Sequence, residues 1–201
     1  MLLARKLFPY LSGKWLEAPL DLATESEKLP SEGDNPVLDP AWCGSMLAEF
    51  HKAAGANYSY GGYMEDRTKF LRGHYFDPDK PIIHLGVDYW VPQDSWVHLP
   101  KKGRLVLLEQ HPDQYGGWGG RAVYEIDGLW VIFAHLYNLI GQVDRIYNST
   151  IRIGQVAPVG KNGGWFPHLH IQCCRDYNTC EDGYSTCRRE TDFPDPETTL
   201  V

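Results

Sequence analysis

The residues with most chemistry to offer lie in the run Phe166-Pro167-His168-Leu169-His170-Ile171-Gln172. Two histidines two apart in an apolar, β-favouring stretch share one face of a strand, because strand side chains alternate with period two. Such a pair serves equally as a polar rim or as a ligating or catalytic pair, so the rest of the chain has to decide. It supplies His84-xxx-Asp88 in the run Ile82-Ile83-His84-Leu85-Gly86-Val87-Asp88, and His135 at the end of the run Leu129-Trp130-Val131-Ile132-Phe133-Ala134-His135. His84 and Asp88 have the same parity, so on an extended or gently bulged segment they face the same way. Histidine and aspartate are the nitrogen and oxygen donors that Zn²⁺ accepts, and three protein ligands plus water leave a catalytic position open. Two further histidines then remain for proton transfer, a task that suits their unperturbed pKa. Two histidines and a carboxylate are also the donors of a non-haem iron centre; the HxxxD spacing and the surplus histidines favour zinc. His51 has no partner at ligand spacing and reads as a surface or satisfied histidine, and His74 belongs to no motif.

The elements that must position these residues are mostly strands. From Pro81 onward short β-branched and apolar runs recur: 82–91, 97–100, 103–110, 122–126, 129–135 and 151–160. Asp127-Gly128 between two of them is the strongest two-residue hairpin signal in the chain. A wide glycine loop occupies residues 111–120. Hairpin-linked strands at such intervals predict a mainly β, antiparallel sheet or sandwich. Upstream, residues 40–54 have helical spacing, with Asp39 and Pro40 as cap and first residue and Gly55 as the stop. Residues 1–40, rich in proline and polar residues, read as an irregular arm with at most a helical turn. The expected organisation is an N-terminal extension over 1–55, a main domain over 56–190 and a tail over 191–201.

Composition narrows the partners. A chain of 201 residues is one domain with a substantial core, and a formal net charge of −7 speaks against nucleic acid or an anionic membrane. The N-terminal run is interrupted by Arg5, Lys6 and Pro9, so no signal-peptide core is expected, and no run reaches transmembrane length. That predicts a cytoplasmic chain as it stands, with export left open. The five cysteines, Cys43, Cys173, Cys174, Cys180 and Cys187, lack the CxxC spacing of structural zinc, and reduced thiols are expected.

Taken in order, HxGxD, then Ala134-His135-Leu136, then a glycine-rich turn into Pro167-His168-Leu169-His170, the chain resembles the M23 family of zinc metallopeptidases, the lysostaphin- and LytM-type endopeptidases. The run Ile151-Arg152-Ile153-Gly154-Gln155-Val156-Ala157-Pro158-Val159-Gly160 is similar to the family's stretch before HxH, and the resemblance covers about residues 60–172. It implies an antiparallel two-sheet, duplicated-hybrid-motif-like fold and one Zn²⁺ per chain held by His84, Asp88 and His170. It implies His135 and His168 as the pair that orients and deprotonates water and steadies the oxyanion. The implied substrate is a peptide or a peptidoglycan-like cross-link. The family's turn before HxH usually holds Ser or Thr, where this chain has Trp165 and Phe166, and Tyr137 replaces the usual Ser. Arg67 resembles an upstream family arginine near the groove, although a surface salt bridge accounts for it as well. Some relatives are held latent by an upstream residue at the open zinc position, a role open to Asn35 or Asn57. The alternatives are an inactive binding module that keeps the fold and a histidine phosphocarrier, the latter disfavoured because Asp88 would repel the phosphate.

Overall fold

The computed structural model describes residues 2–17, 35–72, 79–110, 117–180 and 183–201. His74, residues 18–34 of the proline-rich arm and the first part of the glycine loop lie outside them. The described chain is mainly β. It contains the short helix α1 (Leu3–Leu7), strands β1 (Trp15–Glu17), β2 (Tyr58–Gly61), β3 (Ile83–His84), β4 (Val87–Trp90), β5 (Trp96–His98) and β6 (Gly103–Gln110). Helix α2 (Pro40–Ala54) falls between β1 and β2. Then come β7 (Gly120–Ile126), β8 (Leu129–Tyr137), β9 (Ile146–Tyr147), β10 (Arg152–Val156), β11 (Leu169–Cys174), β12 (Tyr184–Ser185) and a closing turn of helix α3 (Pro196–Thr199).

Ten strands form one large sheet along the path β1-β2-β4-β11-β8-β7-β6-β9, with β10 joining β5 to β8; β12 and β3 form a small second sheet. This agrees with the expected antiparallel two-sheet class, save that β1 runs parallel to β2. The predicted hairpin closes as expected. Asp127 and Gly128 both take positive φ (51° and 77°), and Ile126 pairs with Leu129 across them.

Strand parity builds the two faces. Leu169, Ile171 and Cys173 of β11 join Val87 and Tyr89 of β4 and Val131 and Phe133 of β8 in the main core. His170, Gln172 and Cys174 of β11, with Asp88 and Trp90 of β4, therefore face the other way. One residue breaks the alternation. His135 has φ +60°, and the β7–β8 register shifts between Gly120 and Ala122, so β8 carries a bulge there. Beyond it Leu136 returns to the main core, whereas an unbroken strand would have sent His135 inward with Val131 and Phe133.

Residues 2–17 of the N-terminal segment hold one short helix and one short strand and pack on the main body. Leu3, Ala4, Leu7 and Phe8 are buried in the main core, because the apolar residues of α1 fall on one side while Arg5 points out. Helix α2 begins as predicted, with Asp39 Oδ1 accepting from the Ala41 N–H at 2.8 Å and Gly55 closing it in the left-handed region. It buries Cys43 and Leu47 against Val37, Phe70, Leu71, Ile82 and Trp90.

The cysteine expectation is corrected. Cys174 and Cys180 form a disulfide, because the chain leaves β11 and turns back through the short helical turn Tyr177–Thr179, bringing the two Cα atoms to 5.9 Å. Cys43, Cys173 and Cys187 are free thiols. Burial pushes the Cys43 and Cys173 thiols up to about 12, while Cys187 is exposed. Iodoacetamide on the folded protein is accordingly expected to label Cys187 alone, with Cys43 and Cys173 reacting on unfolding and Cys174 and Cys180 only after reduction. Peptide mass mapping checks this, and labelling of Cys174 without reductant would contradict the bridge.

Candidate metal centre

Four strands bring the site together. His170 pairs directly with Asp88 across β11 and β4, and with Ala134 across β11 and β8, so the bulged His135 lies one residue further along. His84 reaches the same spot from β3, beyond the break at Leu85 and Gly86. That break is a close approach: a Cβ on Gly86 would stand 2.3 Å from the Ile171 carbonyl oxygen and 2.6 Å from His170 Cε1.

His84 Nε2 lies 2.9 Å from His170 Nδ1, His170 Nδ1 lies 3.0 Å from Asp88 Oδ1, and His84 Nε2 lies 3.4 Å from the same oxygen. For a tetrahedral Zn²⁺ with bonds near 2.0–2.1 Å, ligand atoms stand about 3.3 Å apart, so this triangle has nearly the size the ion requires. All three residues are buried, and they form a group of potential ligands. His168 is buried beside them, with Nε2 3.7 Å from Asp88 Oδ1. The His135 and His168 rings are 4.3 Å apart, and His135 is half-buried. The five residues expected from sequence are thus all brought together.

The outer ring nitrogens settle the tautomers. His84 Nδ1 donates to the Gly62 carbonyl at 2.8 Å, His135 Nδ1 to the Asn162 carbonyl at 2.7 Å and His168 Nδ1 to the Phe166 carbonyl at 2.7 Å. His170 Nε2 faces Gln172 Oε1 at 3.4 Å. With one N–H of each ring turned to a protein oxygen, the lone pair of the other nitrogen is directed elsewhere, and for His84 and His170 it is directed at the same point as Asp88 Oδ1. Lone pairs and a carboxylate oxygen converging in a buried space call for a cation between them.

Electrostatics favour the neutral form of the His84, His135 and His168 rings. Burial, reinforced by the Arg67 cation, pushes the His84 imidazole down to about 3. Burial and the neighbouring His168 and His170 hold His135 well below its ordinary value, and burial lowers His168 as well. Burial pushes the Asp88 carboxyl up, but the His84 ring and the Arg67 guanidinium beside it outweigh this and hold it well below the usual carboxylate range.

No family model matches the chain, and no curated protein matches it. Among solved structures it is similar to the catalytic domain of the antimicrobial peptidase lysostaphin from Staphylococcus simulans (21% identity, 72% of this chain and 92% of that one, TM-score 0.49). It is also similar to the catalytic domain of the prophage-encoded M23 protein EnpA from Enterococcus faecalis (17%, 63% and 85%, 0.45). A zinc-containing peptidase from Vibrio cholerae is matched over 45% of this chain and 26% of that one (21%, 0.38). At these identities and scores the likenesses are ones of shape, and the chemistry of this chain rests on its own side chains.

Several features around the site were not legible in advance. Asn35 and Asn57, the two candidates for a latent ligand, are engaged elsewhere: Asn35 Nδ2 donates to the Phe70 and Arg72 carbonyls, and Asn57 Oδ1 accepts from the Lys14 N–H. Arg67 is no surface residue; it is 1% exposed and paired with Asp88. Trp118 stands 5.5 Å from the His170 ring, Trp165 5.1 Å from His168, and Tyr184 5.5 Å from His84. Trp165 Nε1 donates to the Val37 carbonyl, which ties the turn before HxH to the segment leading into α2. His51 is satisfied by Ser59 Oγ at 2.7 Å, as its lack of a ligand partner predicted.

The Gly86 contact yields a direct check. Gly86→Ala is expected to cost about 1–3 kcal/mol by overpacking at the β4–β11 junction. A urea midpoint measures it, and an unchanged midpoint would mean that the approach is not tight.

Proposed function

We propose that this chain is a zinc-dependent endopeptidase of the M23 type. The observation that carries the reading is the convergence of the His84 Nε2, His170 Nδ1 and Asp88 Oδ1 lone pairs, each remaining ring nitrogen being turned to a protein oxygen. In this reading His84, Asp88 and His170 hold one Zn²⁺, and His135 and His168 are the acid–base pair. The ordered appearance of HxGxD, AHL and PHLH along the chain supports the same assignment.

Zinc bound there supplies a Lewis acid and lowers the pKa of water towards about 7. The protein does the rest. His168 and His135, neutral and with Nδ1–H tied to carbonyls, present unprotonated Nε2 atoms that can take a proton from the attacking water. Once protonated, the same Nε2–H donates to the developing oxyanion or passes its proton to the leaving amine. The partial exposure of His135, against 1% for His84 and 3% for His170, supports a substrate approach from the His135 side. Trp118 lies against His135 and Trp165 against His168, aromatic surfaces on which a peptide can pack. The substrate class is a peptide or peptidoglycan-like amide. The Cys174–Cys180 bridge favours an oxidising compartment over the cytosol expected from the N-terminus.

Metal content by plasma mass spectrometry tests the reading first. Wild type purified without added metal is expected to carry about one zinc per chain, and His170→Ala to carry almost none. His135→Ala and His168→Ala are expected to keep the zinc while losing at least about 100-fold in kcat on a panel of peptides and muropeptides. Absence of zinc from wild type, even after incubation with it, would leave a binding module as the better reading. Iron in its place would direct the search to oxygen chemistry.

A further inference from the structure

We propose that Arg67 is a positioning residue of the metal centre, holding the outer oxygen of Asp88 so that only Oδ1 is presented to the ligand set. The inference rests on the metal reading above and adds a residue and a role to it. Arg67 Nη1 lies 2.7 Å from Asp88 Oδ2, while Asp88 Oδ1 faces His170, His84 and His168 at 3.0, 3.4 and 3.7 Å. The carboxylate is thereby divided, one oxygen on a cation and the other on the imidazoles. An aspartate free to turn about its last bond could offer both oxygens to a metal; one held by a guanidinium on Oδ2 offers one.

The guanidinium is itself fixed. Its Nε donates to Glu65 Oε2 at 2.7 Å, so a second carboxylate grips the opposite edge of the planar group. Its backbone N–H donates to the Ile82 carbonyl at 2.8 Å, the Met64 N–H to the His84 carbonyl at 2.9 Å and the His84 N–H to the Glu65 carbonyl at 2.9 Å. The segment carrying Arg67 is therefore zipped to the strand carrying His84. Gly62 completes the cradle: a Cβ there would stand 2.3 Å from Arg67 Nη2 and 3.0 Å from His84 Nδ1. The same glycine, at φ +93°, supplies the carbonyl that accepts from His84. One loop thus sets two ligands, His84 through a carbonyl and Asp88 through a side chain. A lysine would place a charge near Asp88 but has no planar fork to span both carboxylates.

Charge compensation is the competing role for Arg67, and a paired substitution separates the two. The double variant Glu65→Gln with Arg67→Met removes one negative and one positive group together, leaving the formal charge around the ligands unchanged while the hold on Oδ2 is lost. Zinc affinity of the stripped proteins is measured by competition with a chromophoric chelator, with urea midpoints as the folding control and Glu65→Gln alone as reference. The visible spectrum of the Co²⁺-substituted proteins reads the ligand geometry. The expected result is a zinc Kd weaker by roughly 10- to 100-fold in the double variant, as is typical for loss of an outer-shell partner, and a weaker Co²⁺ band as Asp88 moves towards two-oxygen ligation. A wild-type Kd and Co²⁺ spectrum in the folded double variant would overturn the proposal. Should the double variant not fold, Arg67→Lys takes its place: a smaller loss of affinity with an altered Co²⁺ spectrum supports positioning, and wild-type values overturn it. Wild type that itself binds no zinc would overturn this proposal together with the metal reading, and that failure is recognised by its appearing before any substitution is made.

Discussion

Convergence of electron pairs among buried side chains is the constraint on which this molecule depends. Two imidazole nitrogens and a carboxylate oxygen lie within about hydrogen-bonding distance of one another, with a third imidazole close behind. Left to themselves these groups repel or draw protons; burial has made the second course expensive by favouring neutral rings at His84 and His168. The surrounding chain holds the first in check by giving each ring a donor duty on its far side. Much of the local architecture serves those duties. The turn over residues 160–166 exposes the Asn162 and Phe166 carbonyls, and the loop after β2 exposes that of Gly62. Asn162 is fully buried and its own side chain bonds back to the Trp165 carbonyl, so the turn that anchors His135 is itself anchored.

The histidines and the aspartate of the candidate site, and the strands that carry them, were legible in the sequence through periodicity. His168 and His170 share parity, and Asp88 opposite His170 follows once the strands pair. The hairpin at Asp127 and Gly128 and the limits of α2 were equally legible, since each has a local chemical signature in the residues themselves. The hold on the imidazoles was not, because it is made by backbone carbonyls, and every residue has one. Arg67 was visible as a charge, but nothing in its neighbours along the chain says that it is buried; that depends on Asp88, far along the chain, and on the space left at Gly62. Gln172 lies two residues from His170 and so was within reach of the parity argument that found the histidines.

The two ends of the chain contribute to the site although neither carries a ligand. On the N-terminal side, Val37 and helix α2 pack with Trp165 and Phe166, the two bulky residues that stand where smaller ones were expected. Their size is thereby accounted for as core for the extension, with Trp165 also lying against His168. On the C-terminal side, β12 pairs Tyr184 with His84, and a Cβ at Gly183 would stand 3.3 Å from Trp118 Cη2. The disulfide ties the segment before β12 to the end of β11. The ligand floor is thus enclosed by segments that lie outside the region of motif resemblance.

The bulge in β8 has a consequence for how this chain can change over generations. Histidine at 135 and leucine at 136 are adjacent residues of opposite preference, and the extra residue is what lets each face the side that suits it. Regular alternation through the same residues, without the bulge, would drive an imidazole into the core and turn a leucine out of it. Such a loss would be felt first as poor folding and only afterwards as lost chemistry. Selection for a sound core therefore guards the position of His135 as a side effect, and the geometry of the site is inherited along with the solubility of the protein.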